Sequence, residues 1–321
     1  MGPVMGSDTM NFRLFREGDE AAILRTLNEM SDVGCSLDVW AWLFPPEEGG
    51  RAIVVGERHG EVAAVCAGVP IRVAVDGREW PAVDVRKLVS RDRDDIDRVL
   101  DYFVETFGSN GRFVLAIASF GQGEEASSGF NGAAKTELEE LVRERPVSAS
   151  PRRFLYRAEP ARDWESRLDA LWERARSSYP VSVVRRADYA SRRFAGHPVT
   201  RHHRFLVFPR YSRKAVAFAV FGDDGSSCCW LDLLWDHAHR GALDLLAHIS
   251  GRLAAQWGSS GERLWLAGDG ATRSLLIGRG FRAGSSSLSL VGARSFTPEF
   301  DARDFVGRAY LTAADAAGLG P

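Results

Sequence analysis

Asp94-Asp-Ile-Asp-Arg-Val-Leu-Asp-Tyr-Phe-Val-Glu-Thr-Phe-Gly108, followed closely by Phe113-Val-Leu-Ala-Ile-Ala118, is the stretch from which the fold is read. Ile96, Val99, Leu100, Phe103 and Phe107 share one face of a helix over Asp94 to Phe107, because residues three and four apart lie on one side of a 3.6-residue turn. An apolar run of strand length follows, as for a buried strand over Phe113 to Ala118. The same order returns downstream. Leu246, Ile249, Leu253, Trp257 and Gly258 stand 150 positions after Ile96, Val99, Phe103, Phe107 and Gly108, and Leu264 stands 150 after Val114. A helix face, its terminal glycine and the next strand, kept in one register, point to an internal duplication.

Upstream of the quoted helix, Asp19 is placed to cap a helix over Glu20 to Met30 that carries Ile23, Leu24 and Leu27. Strands over Arg51 to Glu57, Val62 to Val75 and Trp80 to Ser90 then form a meander, turned at His59-Gly60 and Asp76-Gly77. The second copy offers strands over Phe205 to Phe208, Ala215 to Phe221 and Cys228 to Trp235, a helix over Gly241 to Trp257 and a strand over Arg263 to Ala267. Asp84 and Asp232, one in each pre-helix strand, are 148 apart, so the second connecting loop is two residues longer. Glu137 to Pro160 is charged and holds Pro146, Pro151 and Pro160 around Ser148 to Ser150, a composition that suits a boundary. Phe154-Leu155-Tyr156 within it is apolar enough to close the first copy. The expected organisation is a flexible leader over 1–10, one domain over 11–159 and a second over 160–321, divided near Glu159, in the α/β class with mixed sheets.

Composition excludes several classes. The 321 residues hold 41 basic and 43 acidic side chains, a formal charge of -2, so no field attracts a polyanion and nucleic acid is not an expected partner. No run of apolar residues reaches the ~18 that a membrane span needs, and the N-terminus lacks a secretory pattern. Cys35, Cys66, Cys228 and Cys229 show no C-x-x-C spacing, which suits a reducing, cytoplasmic setting. His237-x-His239 and His202-His203 lack a third ligand at metal spacing, so no metal site is expected. Gly121-Gln-Gly123 and Gly268-Asp-Gly270 are partial glycine patterns only. Trp40, Trp42, Trp230 and Trp235 are expected in the core rather than stacked on a ligand. The Arg185-Arg186 and Arg192-Arg193 pairs suit a nucleotide diphosphate or, more simply, a solvated helix face.

Ser274-Leu-Leu-Ile-Gly-Arg-Gly-Phe281, Trp40-Ala-Trp42 with Pro45, Arg186-Ala-Asp-Tyr-Ala-Ser-Arg-Arg-Phe194 with His197-Pro198, and Ala309-Tyr-Leu-Thr-Ala-Ala-Asp315 carry a resemblance. With the element order above, the chain resembles tandem proteins of the GNAT (GCN5-related N-acetyltransferase) superfamily of the polysaccharide and amino-sugar biosynthesis type. That resemblance implies acyl transfer from acetyl-CoA or another acyl-CoA to a primary amine, with a nucleotide-linked amino sugar as the preferred acceptor. The alternative is a catalytically inactive small-ligand-binding or scaffold protein of the same fold, and transfer to an amino acid or aminoglycoside is a third possibility that the sequence does not separate from the first.

The resemblance also implies where the chemistry sits. In that fold two parallel strands splay, and their amides face the thioester; here Leu233, Leu234 and Trp235 are expected to supply them. A diphosphate is expected at the next helix start, His239-Arg240-Gly241-Ala242, where free N–H groups and the helix dipole favour an anion. The first copy's Arg91-Asp-Arg-Asp-Asp95 carries three carboxylates and repels one by the same physics. The second copy is therefore expected to bind the acyl-CoA and the first to act as a scaffold or acceptor wall. An ammonium must lose a proton before attack, and Asp232 is the expected base, with Asp236 and His237 behind it. The competing structural roles are a helix cap for Asp236 and a satisfied internal hydrogen bond for Asp232.

Overall fold

The computed structural model describes residues 10–30, 34–46, 51–120, 134–144, 155–161, 166–285 and 290–316. The first half runs β1 (Asn11–Leu14), α1 (Glu20–Met30), α2 (Leu37–Leu43), β2 (Ala52–Arg58), β3 (Glu61–Val75), β4 (Arg78–Ser90), α3 (Asp94–Gly108), β5 (Leu115–Phe120), β6 (Ala134–Glu137) and β7 (Glu139–Arg143). The second runs β8 (Tyr156–Pro160), α4 (Ser166–Ala175), β9 (Val181–Val183), α5 (Ala187–Phe194), β10 (His203–Pro209), β11 (Ala217–Asp223) and β12 (Ser227–Trp235). It continues with α6 (Arg240–Trp257), β13 (Gly261–Ala267), α7 (Gly270–Ile277), β14 (Arg282–Ala283), β15 (Leu290–Ser295), α8 (Ala302–Arg308) and β16 (Leu311–Thr312).

The helices and strands that the duplication predicts are present, and the meander turns explain themselves locally. At His59-Gly60 and Asp76-Gly77 both residues have positive φ (54° and 81°, 48° and 85°), the backbone of the two-residue hairpin turn whose twist matches its strands. Two mixed sheets result, in the orders β1-β2-β3-β4-β5-β15-β6 and β8-β10-β11-β12-β13-β7-β14. They are the same sheet twice, with β4 parallel to β5 and β12 parallel to β13. Among the described residues no helix is long and apolar enough to cross a membrane.

The two halves trade a strand. After β6 the chain passes through the buried Leu138 into the second sheet, where β7 lies between β13 and β14; in return β15 lies between β5 and β6 of the first. Charge hides this in the sequence. Arg143 of β7 is buried against Glu262 of β13 at 2.6 Å and donates to the Ala247 carbonyl at 2.6 Å, while Ser250 donates to the same Glu262. A strand whose charges are all paired across the chain reads as a polar linker. Two boundary expectations are therefore revised. The charged stretch begins with a central strand, and Tyr156–Pro160 closes nothing in the first copy: it is β8, paired with β10 at the far edge of the second sheet. Glu159 lies inside β8, and Pro146, Ser148 to Ser150, Pro151, Phe154 and Gly121 to Gly123 lie outside the described residues.

Candidate functional site

Each sheet parts where its two parallel strands diverge. In the second half, β12 and β13 pair only from Ser227↔Gly261 to Trp230↔Leu264, so the edge of β12 from Leu231 to Trp235 is free to face a gap. The chain fills that gap itself. β16 pairs there with the end of β13, Leu266↔Thr312 and Ala267↔Leu311. Gly268 makes this approach possible: it has φ +77°, and a Cβ on it would lie 2.2 Å from the Ala309 carbonyl oxygen. The main chain expected to hold a thioester is consumed. Leu233 donates to Asp232 Oδ1 at 3.0 Å and its carbonyl accepts from the Tyr310 hydroxyl at 2.6 Å. Trp235 donates to the Tyr179 hydroxyl at 3.2 Å, and that hydroxyl donates back to the Trp235 carbonyl at 3.0 Å. Leu234 is spent on the ladder to Phe218.

Asp232 is fully buried in this filling. Its Oδ1 accepts from Arg185 Nε at 2.8 Å and from the Thr312 hydroxyl at 2.9 Å, and Arg185, 1% exposed, also pairs with Asp315. The guanidinium lies 4.8 Å from the Tyr310 ring centroid. Burial pushes the Asp232 carboxyl above its ordinary pKa while Arg185 opposes it. Asp232 thus takes the internal hydrogen-bonding role that competed with its expected role as base, although its buried Oδ2 has no hydrogen bond among the described residues. Arg185 is likewise no solvated residue, contrary to its expected place on a helix face.

The remaining expected residues gather at the α6 entrance, apart from Asp232. Asp236 accepts from the Ala238 amide at 3.0 Å, a local turn bond. His237 packs on Trp235 and Tyr179, ring centroids 4.3 and 5.1 Å away, with Nε2 3.3 Å from Asp269. His239 precedes α6 with its Nδ1 3.3 Å from the Tyr156 hydroxyl. Tyr156 stands against Gly241 so closely that a Cβ there would lie 2.6 Å from its ring. Ala242 is buried and Arg240 is exposed. A diphosphate at this helix start competes with a tyrosine that belongs to β8.

The first half differs. β4 and β5 pair only from Ala82↔Leu115 to Val85↔Ala118; beyond that, Ser119 and Phe120 of β5 stay on β15 while β4 runs on through Ser90 along β3. Among the described residues no strand enters this parting. A bulge lies here: Val85 faces Gly68 and Lys87 faces Ala67, so Arg86 is the extra residue. Asp84, the positional partner of Asp232, is buried and pairs with Arg86, and burial raises its pKa.

Arg86 also forms part of the wall of a cavity of about 420 Å³ between the halves. α2 contributes Trp42, with Pro45 just beyond it; β3 contributes Val69 to Arg72; α5 contributes Asp188, Tyr189, Arg192 and Arg193. Trp42 is thus a wall residue, its Nε1 donating to the Ala195 carbonyl at 2.8 Å. Arg193 donates to the carbonyls of Ala314 at 2.9 Å and Ala316 at 3.4 Å. Burial, and then neighbouring Arg86, hold its pKa down at about 10. Nothing in the sequence pattern of Arg86 or Arg193 marks them as neighbours, although Trp42, Pro45 and the α5 residues all come from segments that carry the GNAT resemblance.

No family model and no curated protein matches the sequence, but solved structures match the fold. A GCN5-related N-acetyltransferase from Anabaena variabilis superposes with TM-score 0.66 at 11% identity, covering 90% of this chain and 73% of that one. A probable N-acyltransferase from Enterococcus faecalis gives 0.68 at 9% identity, over 90% and 73%. N-myristoyltransferase of Saccharomyces cerevisiae, solved with bound myristoyl-CoA, gives 0.59 at 11% identity, over 98% and 90%. The chain has the duplicated GNAT fold. In GNAT terms the first half has its two parallel strands parted with no strand between them among the described residues, and the second has the same parting closed by β16 and the residues around it.

Proposed function

We propose that the protein is an N-acyltransferase using an acyl-CoA as donor, and that the reacting groups meet at the first parting, not the second. One observation carries this: among the described residues the β4 edge from Arg86 to Ser90 has no strand on its β5 side, and the inter-half cavity reaches Arg86. A thioester laid along that edge offers its carbonyl oxygen to main-chain donors, which stabilise the oxyanion without reorganisation. An amine in the cavity approaches the same carbonyl, forms the amide bond and releases the coenzyme A thiolate, its proton leaving to solvent or a nearby carboxylate. The fold neighbours support acyl transfer to an amine as the reaction class. Acetyl and longer chains are both open as donors, and a small-molecule amine is the proposed acceptor. The nucleotide-linked amino sugar implied by the resemblance to polysaccharide-type proteins gains no support from a wall built largely of Trp42, Pro45, Val69 and Ile71.

A second reading, ligand binding without catalysis, is favoured by α3. Its first turn holds Asp94, Asp95 and Asp97, and Asp95 is buried against Arg58 at 2.5 Å. Such a start weakens a diphosphate rather than cradling it. Amide hydrogen exchange on the full chain with acetyl-CoA and decanoyl-CoA separates the readings. Protection is expected over 86–91, together with thiol release when amines are added. Protection at 233–242 instead, or none at millimolar donor, overturns the transferase proposal; protection without thiol release for any amine leaves the binding reading.

A further inference from the structure

The cavity has two chemically different ends. Most of its wall is apolar, Trp42, Pro45, Val69, Pro70 and Ile71 facing α5 across it. The wall also holds Arg72, Arg86, Arg192 and Arg193, and of these Arg86 and Arg193 meet at the Ala314 carbonyl with the nearby carboxylates behind them: Asp84 and Asp315 are not part of the wall. Arg86 has Asp84 as its partner and donates to the Ala314 carbonyl at 3.4 Å. Arg193 has only main-chain carbonyls among the described residues. A guanidinium carries five N–H donors, and two bonds to carbonyls leave the rest of the Arg193 fork for whatever occupies the cavity. Asp188 supplies the one carboxylate of the wall, on the α5 turn before Arg193.

We propose that the cavity binds an amine that also bears a carboxylate, an amino acid with a large apolar side chain, its carboxylate on Arg86 and Arg193 and its side chain against Trp42 and Ile71. That this amine is the acceptor rests on the transferase reading; that the cavity selects a carboxylate does not. Arginine forks recognise carboxylates in two-point geometry that a neutral amide cannot match. Burial and then the nearby Arg86 hold down the proton affinity of Arg193, and a bound carboxylate opposes both effects.

Calorimetry on the full chain with L-tryptophan, indole-3-propionate and L-tryptophanamide tests this without any acyl donor. The two carboxylates are expected to bind at least about tenfold more tightly than the amide, the range of a charged hydrogen-bond pair. In Arg193→Met that preference is expected to collapse while amide binding persists, a readout that a misfolded variant does not give. Equal binding of acid and amide to the unaltered protein overturns the inference, as does a preference that survives in both Arg193→Met and Arg86→Met. Thiol release from an acyl-CoA with tryptophanamide as fast as with tryptophan would also overturn it, while leaving the transferase reading standing.

Discussion

The second parting has everything the first lacks as a structure and the first keeps what the second has lost as a site. Around Leu231 to Trp235 the free edge of β12 is met by β16, two tyrosine hydroxyls and the Arg185 cluster, which take up the main-chain groups of Leu233 and Trp235 and Oδ1 of Asp232. Around Arg86 to Ser90 the free edge of β4 meets no strand among the described residues, and it borders a cavity at Arg86. The two halves hold two copies of one geometry, and in the second the C-terminal segment fills the parting and makes it part of the core. The two aspartates differ in their partners, Asp232 Oδ1 shared by Arg185, Thr312 and the Leu233 amide and Asp84 held by Arg86, although each keeps one buried oxygen without a hydrogen bond among the described residues.

The largest test of that contrast is Arg185→Met. It leaves Asp232 and Asp315 buried together without a cation, and breaking one partner out of a buried ion-pair cluster costs about 3–5 kcal/mol. Urea unfolding followed by far-UV circular dichroism should show a midpoint lowered accordingly. A loss below about 1 kcal/mol would mean that the second parting is hydrated, and that its closure is incidental.

Gly268→Ala asks the same question of the backbone. A left-handed φ costs a non-glycine residue about 1–2 kcal/mol, and here the new Cβ also meets the Ala309 carbonyl at 2.2 Å. The strand must shift outward, so a total loss of about 2–3 kcal/mol is expected, with faster exchange of the Leu233 and Trp235 amides as its signature. Unchanged exchange would show that β16 is not what protects them.

How much of this was legible in the sequence follows from the range of the forces involved. The helices and meander strands were legible because apolar periodicity and turn residues act within a few positions, as along Ile96 to Phe107 and at Asp76-Gly77. The duplication was legible for the same reason. The exchange of β7 and β15 was not, since Arg143 finds Glu262 119 positions away and, without that partner, looks like a linker charge. For the site, the parting of β12 was legible and its filling was not. Ala309 to Asp315 stood out as a motif, yet only the fold brings Tyr310 to Leu233 and Thr312 to Asp232. Arg185 looked solvated beside Arg186, and the structure gives them opposite fates: Arg186 reaches Glu79 at 2.8 Å at the surface while its neighbour is enclosed.

The smallest expected effect falls on the first parting itself. If the donor's diphosphate lies at the start of α3, then Asp94, exposed in its first turn, opposes it through the same dipole that it stabilises in the empty helix. Asp94→Asn removes one unit of negative charge and keeps the side-chain shape. Coenzyme A binding is expected to tighten about two- to fivefold at low salt, the range of a single charge at a helix terminus, and the gain should shrink at 0.5 M salt as screening shortens to a few ångströms. A gain that ignores salt would assign the effect to packing instead of charge. No gain at all, in a protein that still protects 86–91 on binding, would place the diphosphate away from α3 and leave the β4 edge as the only part of the first half that holds the donor.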